Sequence, residues 1–174
     1  MKKIIAVLAM LMAGTMANAQ VDVITKHSGE IVKGKVVKVE EYTIVYKYDG
    51  EDAENTLSKY AVEKIVYGKT GRVEEITEKI VVSTENDWEK VVILEDKAYI
   101  AGLKKGEELR GKTGLINYHT GNTADKKAEK KLKIAAAILG FPFVLQTADK
   151  TTTGHNSNQL GGSQAIKKGI GYKY

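Results

Sequence analysis

Only one stretch of this chain carries helical periodicity, Thr123 to Leu139, and it ends on two separate stop signals. Ala128, Leu132, Ala135, Ala136 and Leu139 recur at i, i+4, i+7, i+8 and i+11, one apolar stripe along a helix. Ile134 and Ile138 widen that stripe, which predicts last turns covered nearly all round. Asn122 or Thr123 is placed to cap the first turn, and Asp125 favours the positive end of the helix dipole. Gly140 stands where a left-handed terminating residue belongs, and Pro142 cannot continue a helix. A lone amphipathic helix needs a sheet to cover its stripe, so the rest of the chain must supply strands.

The flanking residues answer that need. Val91 to Leu94 is a continuous apolar run suited to a buried strand, with Asp87 to Lys90 leading into it. Tyr99 to Leu103 and Leu109 to Tyr118 are weaker strand candidates, interrupted by Gly102, Gly106, Gly111 and Gly114. Phe143 to Thr147 reads as a buried strand and Ala165 to Tyr174 as a terminal one. Between them, 151–162 is polar, glycine-containing and without period, the pattern of a long loop. Trp88 reads as a lid on this half's core.

The preceding half, Val21 to Val82, is rich in Val, Ile, Tyr and Thr and has no helical segment. Val21 to Thr25, Ile31 to Glu40, Tyr42 to Tyr48, Asn55 to Ser58, Val62 to Tyr67 and a last piece near Arg72 to Val82 read as short strands. Gly34 inside a strand marks a bulge or sharp bend. Strands this short at this spacing argue for a small barrel.

The two halves also differ in charge. Residues 21–82 carry 10 basic and 12 acidic groups, and residues 83–174 carry 15 and 10. Together these readings predict an α+β chain: a small β-barrel over 20–82, then a small α/β domain over 83–174, with one main helix packed on a short sheet. Residues 83–87 are the exposed joint between them.

Gly29, Gly34, Val36, Ile44, Tyr46, Leu57, Val62, Ile65 and Tyr67 form a pattern that resembles a module of exported Bacteroidota proteins. That resemblance implies an SH3-like or Sm-like barrel and carries no chemistry, because the shared positions are core and corner residues. Leu132-Lys133, Ala135-Ala136, Leu139-Gly140 and Phe143-Val144 resemble a family of small bacterial α/β domains. Some members of that family carry a heavy-metal-binding label, but no ligand set here supports its transfer.

The first residues supply a compartment. Lys2 and Lys3 precede an apolar run from Ile4 to Met12, and Ala17-Asn18-Ala19 matches the small-residue pattern of signal cleavage. Residues 1–19 are therefore expected to be removed, leaving Gln20 first in a periplasmic or secreted chain with no transmembrane segment. The run is shorter than the roughly 20 apolar residues of a membrane span. There is no cysteine, which excludes a lipoprotein anchor and disulfides alike. Export, with Arg72 and Arg110 the only arginines, makes nucleic acid an unsuitable partner. A lysine-rich helix and 7% aromatic residues oppose an outer-membrane barrel.

Chemistry-bearing motifs are sparse. His27, His119 and His155 share no metal-ligand spacing, and His27 and His155 read as solvent-exposed. No serine stands in a nucleophile elbow, and Gly111-Lys112-Thr113 lacks the spacing of a phosphate loop. No cofactor is implied. Asn117, His119, Thr120 and Thr123 surround the helix start and are candidates for a small anionic site, although capping alone also explains such residues. Lys126, Lys130 and Lys133 share the outward helix face and are candidates for contact with an anionic surface, the alternative being a solvated face balanced by Glu129. The leading expectation is a non-enzymatic binding or assembly module that meets a protein or another envelope component. The alternative is a hydrolase or anion binder at the domain cleft or the 117–123 turn.

Overall fold

The description covers residues 21–114, 121–153 and 163–174 of a computed structural model. Strands β1 (Asp22–Lys26), β2 (Ile31–Val39), β3 (Thr43–Tyr48), β4 (Glu54–Ser58), β5 (Val62–Val66) and β6 (Val73–Glu75) form an antiparallel sheet. Its order is β4-β3-β2-β1-β5-β6. The period-two pattern places Ile24, Ile44, Tyr46, Leu57, Val62 and Ile65 in one buried cluster. Bulges interrupt the pairing between Thr25 and Lys26 and between Val36 and Lys38. Gly34 has a different task from the expected bend: a methyl group there would lie 2.2 Å from the Lys47 carbonyl oxygen of β3.

The chain is α+β, as expected, but its first sheet is not a closed barrel. β4 and β6 are its two edges, and no pairing joins them among the described residues. The last strand is three residues long where a run near Arg72 to Val82 was expected. Residues beyond it extend toward the second sheet, where Ile80 and Val82 enter apolar clusters.

The second sheet contains β7 (Val92–Leu94), β8 (Lys104–Lys112), β9 (Phe143–Thr153) and β10 (Ser163–Lys173), in the order β7-β9-β10-β8. β7 runs parallel to β9 and the other pairs are antiparallel. Two expectations are corrected here. Tyr99 to Leu103 is not a strand: Lys97–Ile100 is a 3-10 turn whose Ala98 N–H donates to the Asp96 side chain at 2.7 Å. Thr151 to Thr153 belong to β9, because β10 supplies partners out to Ser163; the remainder of the expected loop, 154–162, lies outside the described residues. β8 also continues through Gly106 and Gly111, with a bulge in its pairing to β10 at Gly106 and Glu107.

Helix α1 (Gly121–Ile138) covers this sheet. Asn122 and Thr123 lie within the helix, one residue or more past its start, so neither is the cap. Ala124, Ala128, Leu132, Ala136 and Ala137 are fully buried. Gly140 has φ +69°, the Gly140 N–H donates to Ala137 O at 3.1 Å, and the Phe141 N–H donates to Ala136 O at 2.9 Å. This paired closure satisfies carbonyls that the helix end would leave orphaned. Phe141 turns into the core, whereas Ile138 and Leu139 remain 59% and 45% exposed. The expected all-round cover of the last turns is therefore absent, because the chain spends its closing apolar contact on Phe141. At the other end, buried Lys167 of β10 reaches Asp149 at 2.7 Å and Asp125 at 3.1 Å. Burial lowers its ammonium pKa, and the two carboxylates outweigh that effect and raise it.

The two sheets are joined by specific contacts. The Ser58 N–H donates to Ala101 O at 2.8 Å, and the Ile80 N–H donates to the Tyr174 hydroxyl at 2.9 Å. Phe143 packs its ring 5.3 Å from Tyr60 and 5.5 Å from Tyr174. No described helix is long and apolar enough to cross a membrane.

Candidate functional site

Trp88 sits in a 3-10 turn, Glu85–Lys90, whose conformation is set by one carboxylate. Asp87 accepts from the Ser83 and Thr84 N–H groups at 3.1 Å each, and from the Thr84 hydroxyl at 3.2 Å. Lys90 Nζ adds a contact of 2.6 Å. The Lys90 hydrogen bond and the two backbone donors hold the Asp87 carboxyl well below its ordinary range. The turn packs Trp88 against the cluster under α1, as expected for a lid.

Its second neighbour was not foreseen. Lys130 Nζ stands 4.4 Å from the centre of the Trp88 ring, within the range of a cation–π contact. Around this pair lies an open surface groove of about 470 Å³. Lys126, Lys127, Lys130 and Lys133 line it together with Glu129, which pairs with Lys133 at 3.5 Å. Asn122 and Thr123 complete the wall on the first turns of α1. The lining therefore offers ammonium groups, an amide, a hydroxyl and an indole ring beside the positive end of a helix dipole.

Of the residues expected at a site, Thr123 joins Lys126, Lys130 and Lys133 in this one concavity. Asn117, His119 and Thr120 lie outside the described residues, as does His155. Trp88 could not be assigned to the site from sequence, because nothing local announces a contact with Lys130 across the fold. Among the described residues, no three His, Asp or Glu side chains gather to hold a metal ion.

His27 departs from its expected exposure. It is 9% exposed, with its ring 4.9 Å from Tyr174 in an edge-on contact and Nε2 at 3.0 Å from Thr77 Oγ1. Lys79 Nζ donates to its carbonyl oxygen at 3.2 Å. Burial lowers the imidazole pKa from the ordinary 6.5; Lys79 acts in the same direction, against Glu63 and the Thr77 hydrogen bond. The unfolded chain therefore binds a proton that the folded chain resists. Stability is complete above the unfolded value and falls as pH drops from about 6.5 through the lowered folded value. Thermal melts at about pH 7.5 and about pH 5 should show this loss, and His27→Asn should flatten that part of the slope.

No protein-family model, curated protein or solved structure matches the chain.

Proposed function

We propose that this is an exported envelope protein that acts by binding, and that the concavity between Trp88 and α1 is its anion-binding face. Among the described lining residues, Lys126, Lys130 and Lys133 gathered around the Trp88 ring carry this reading. The leader-like residues 1–19 support a periplasmic or secreted location, with no lipid anchor because cysteine is absent. The first sheet supports the small-barrel resemblance in its strand order: β1 to β4 meander, a 3-10 turn at Lys59–Ala61 follows, and β5 returns to pair with β1. The lysine-lined concavity lies on α1, so the binding chemistry is assigned to the helix side.

Long-chain polyphosphate, a soluble polyanion free of lipid, tests the reading. The parent chain should bind it in low salt and release it as salt screens the lysines. Replacing Lys126, Lys130 and Lys133 together by Gln should weaken binding on the order of 100-fold, taking roughly 1 kcal/mol for each exposed contact. Stability should change by less than about 1 kcal/mol, because Lys126 and Lys130 are exposed and the half-exposed Lys133–Glu129 pair is of small worth. Equal binding by parent and triple variant would remove the site.

A further inference from the structure

We infer that α1 docks lengthwise on an anionic lipid bilayer, with Lys127 and Lys130 at the headgroups and Ile138 and Leu139 entering the interface. This rests on the anion-binding role proposed above and names its partner. Lys127, Lys130, Ile134 and Ile138 follow one another at i, i+3, i+7 and i+11, so they share one side of the helix. That side is cationic toward its start and aliphatic toward its end.

The aliphatic end is held outward. Gly140 and Phe141 close the helix with two hydrogen bonds, and Phe141 fills the core. Ile138 at 59% and Leu139 at 45% exposure are thus fixed beside solvent on a pinned turn, where fraying does not account for them. The Val81–Val82 segment runs alongside, with Val82 O 3.7 Å from where a Gly140 side chain would begin. Val81, 61% exposed, adds a third aliphatic group at that corner.

Isolated exposed apolar residues are ordinary, but three large ones beside a lysine-lined face match a surface that lies in a membrane interface. Lysine stems follow such a surface while their ammonium groups stay with the phosphates. A purely polar anion would use the lysines and leave Ile138, Leu139 and Val81 without a role.

Vesicles of phosphatidylglycerol in phosphatidylcholine, vesicles of phosphatidylcholine alone, and polyphosphate separate these cases. Trp88, the only tryptophan, reports binding by its fluorescence, with sedimentation as the second measure. The parent should bind the phosphatidylglycerol vesicles and ignore the neutral ones. Ile138→Ser with Leu139→Ser should bind those vesicles about tenfold more weakly, the effect of withdrawing two partly buried aliphatic groups, and should keep the parent's affinity for polyphosphate. Ile138→Gln alone gives a smaller loss and guards against misfolding of the double variant. Parent-like vesicle binding by the double variant would overturn the bilayer assignment while leaving the anion site standing. So would self-association of the parent that the double variant abolishes without loss of vesicle affinity, since the patch would then belong to a second copy. Loss of neither ligand in the triple Gln variant would instead overturn the anion site itself.

Discussion

Ala136→Asp is expected to abolish the folded state of the second sheet and its helix under ordinary conditions. Ala136 is fully buried in a cluster with Leu132, Val144 and Phe141, and its neighbours there are apolar. A carboxylate at this position would lose its water among apolar neighbours, and the nearest lysine along α1, Lys133, already pairs with Glu129 at 3.5 Å. Burial of an unpaired charge costs several kcal/mol, and overpacking of the helix against the sheet adds to it. The total approaches the roughly 5–15 kcal/mol that stabilises a whole domain. Urea denaturation followed by far-ultraviolet circular dichroism measures the effect. A midpoint within error of the parent would mean that α1 does not pack as described.

The second large effect belongs to Gly111→Ala. Its new methyl group would stand 2.0 Å from the Ala128 carbonyl oxygen and 2.7 Å from Leu132 N. Both are backbone atoms, so no side-chain rotation relieves the clash, and α1 must lift from β8. A loss of about 3 kcal/mol is expected, at the upper end of ordinary overpacking. Gly114→Ala is the matched control. Among the described residues nothing lies within 4 Å of its added carbon, and its φ is not positive, so its stability should match the parent or rise slightly. Denaturant midpoints of the two variants should differ clearly; coincident midpoints would refute the close helix–strand contact.

Gly111 also shows why parts of this fold could not be read from the chain. Gly106 and Gly111 looked like interruptions of a strand, yet β8 continues through both, with only a one-residue shift in its pairing to β10 at Gly106. They are small because something approaches: the Phe141 ring at Gly106 and the α1 backbone at Gly111. Local propensity records only the weakened strand, whereas the reason for the glycine comes from an element distant in sequence. Tyr99 to Leu103 was misread for the converse reason, since the Asp96 cap outweighs the strand preference of Tyr and Ile.

The site divides along the same line. Thr123, Lys126, Lys130 and Lys133 were legible because helical spacing alone puts them near one another. Trp88 was visible as a packing residue, and only the fold brings its ring under Lys130. His27 lay in a polar turn, and its burial arises from Tyr174 at the far end of the chain.

What the sequence determined by itself was therefore much of the short-range order: most strand positions outside 72–82, 99–103 and 151–153, the helix with its Gly140 stop, the buried alanine face and the lysine face. Periodicity and capping act within a few residues, so they are written in neighbouring letters. Tertiary structure alone decided that the first sheet stays open between β4 and β6, that the two sheets meet through Tyr60, Phe143 and Tyr174, and that Ile138 and Leu139 remain outside. These outcomes depend on which apolar groups win the limited interior. Phe141 occupies the space that Leu139 was expected to fill, a competition between volumes that no local pattern encodes.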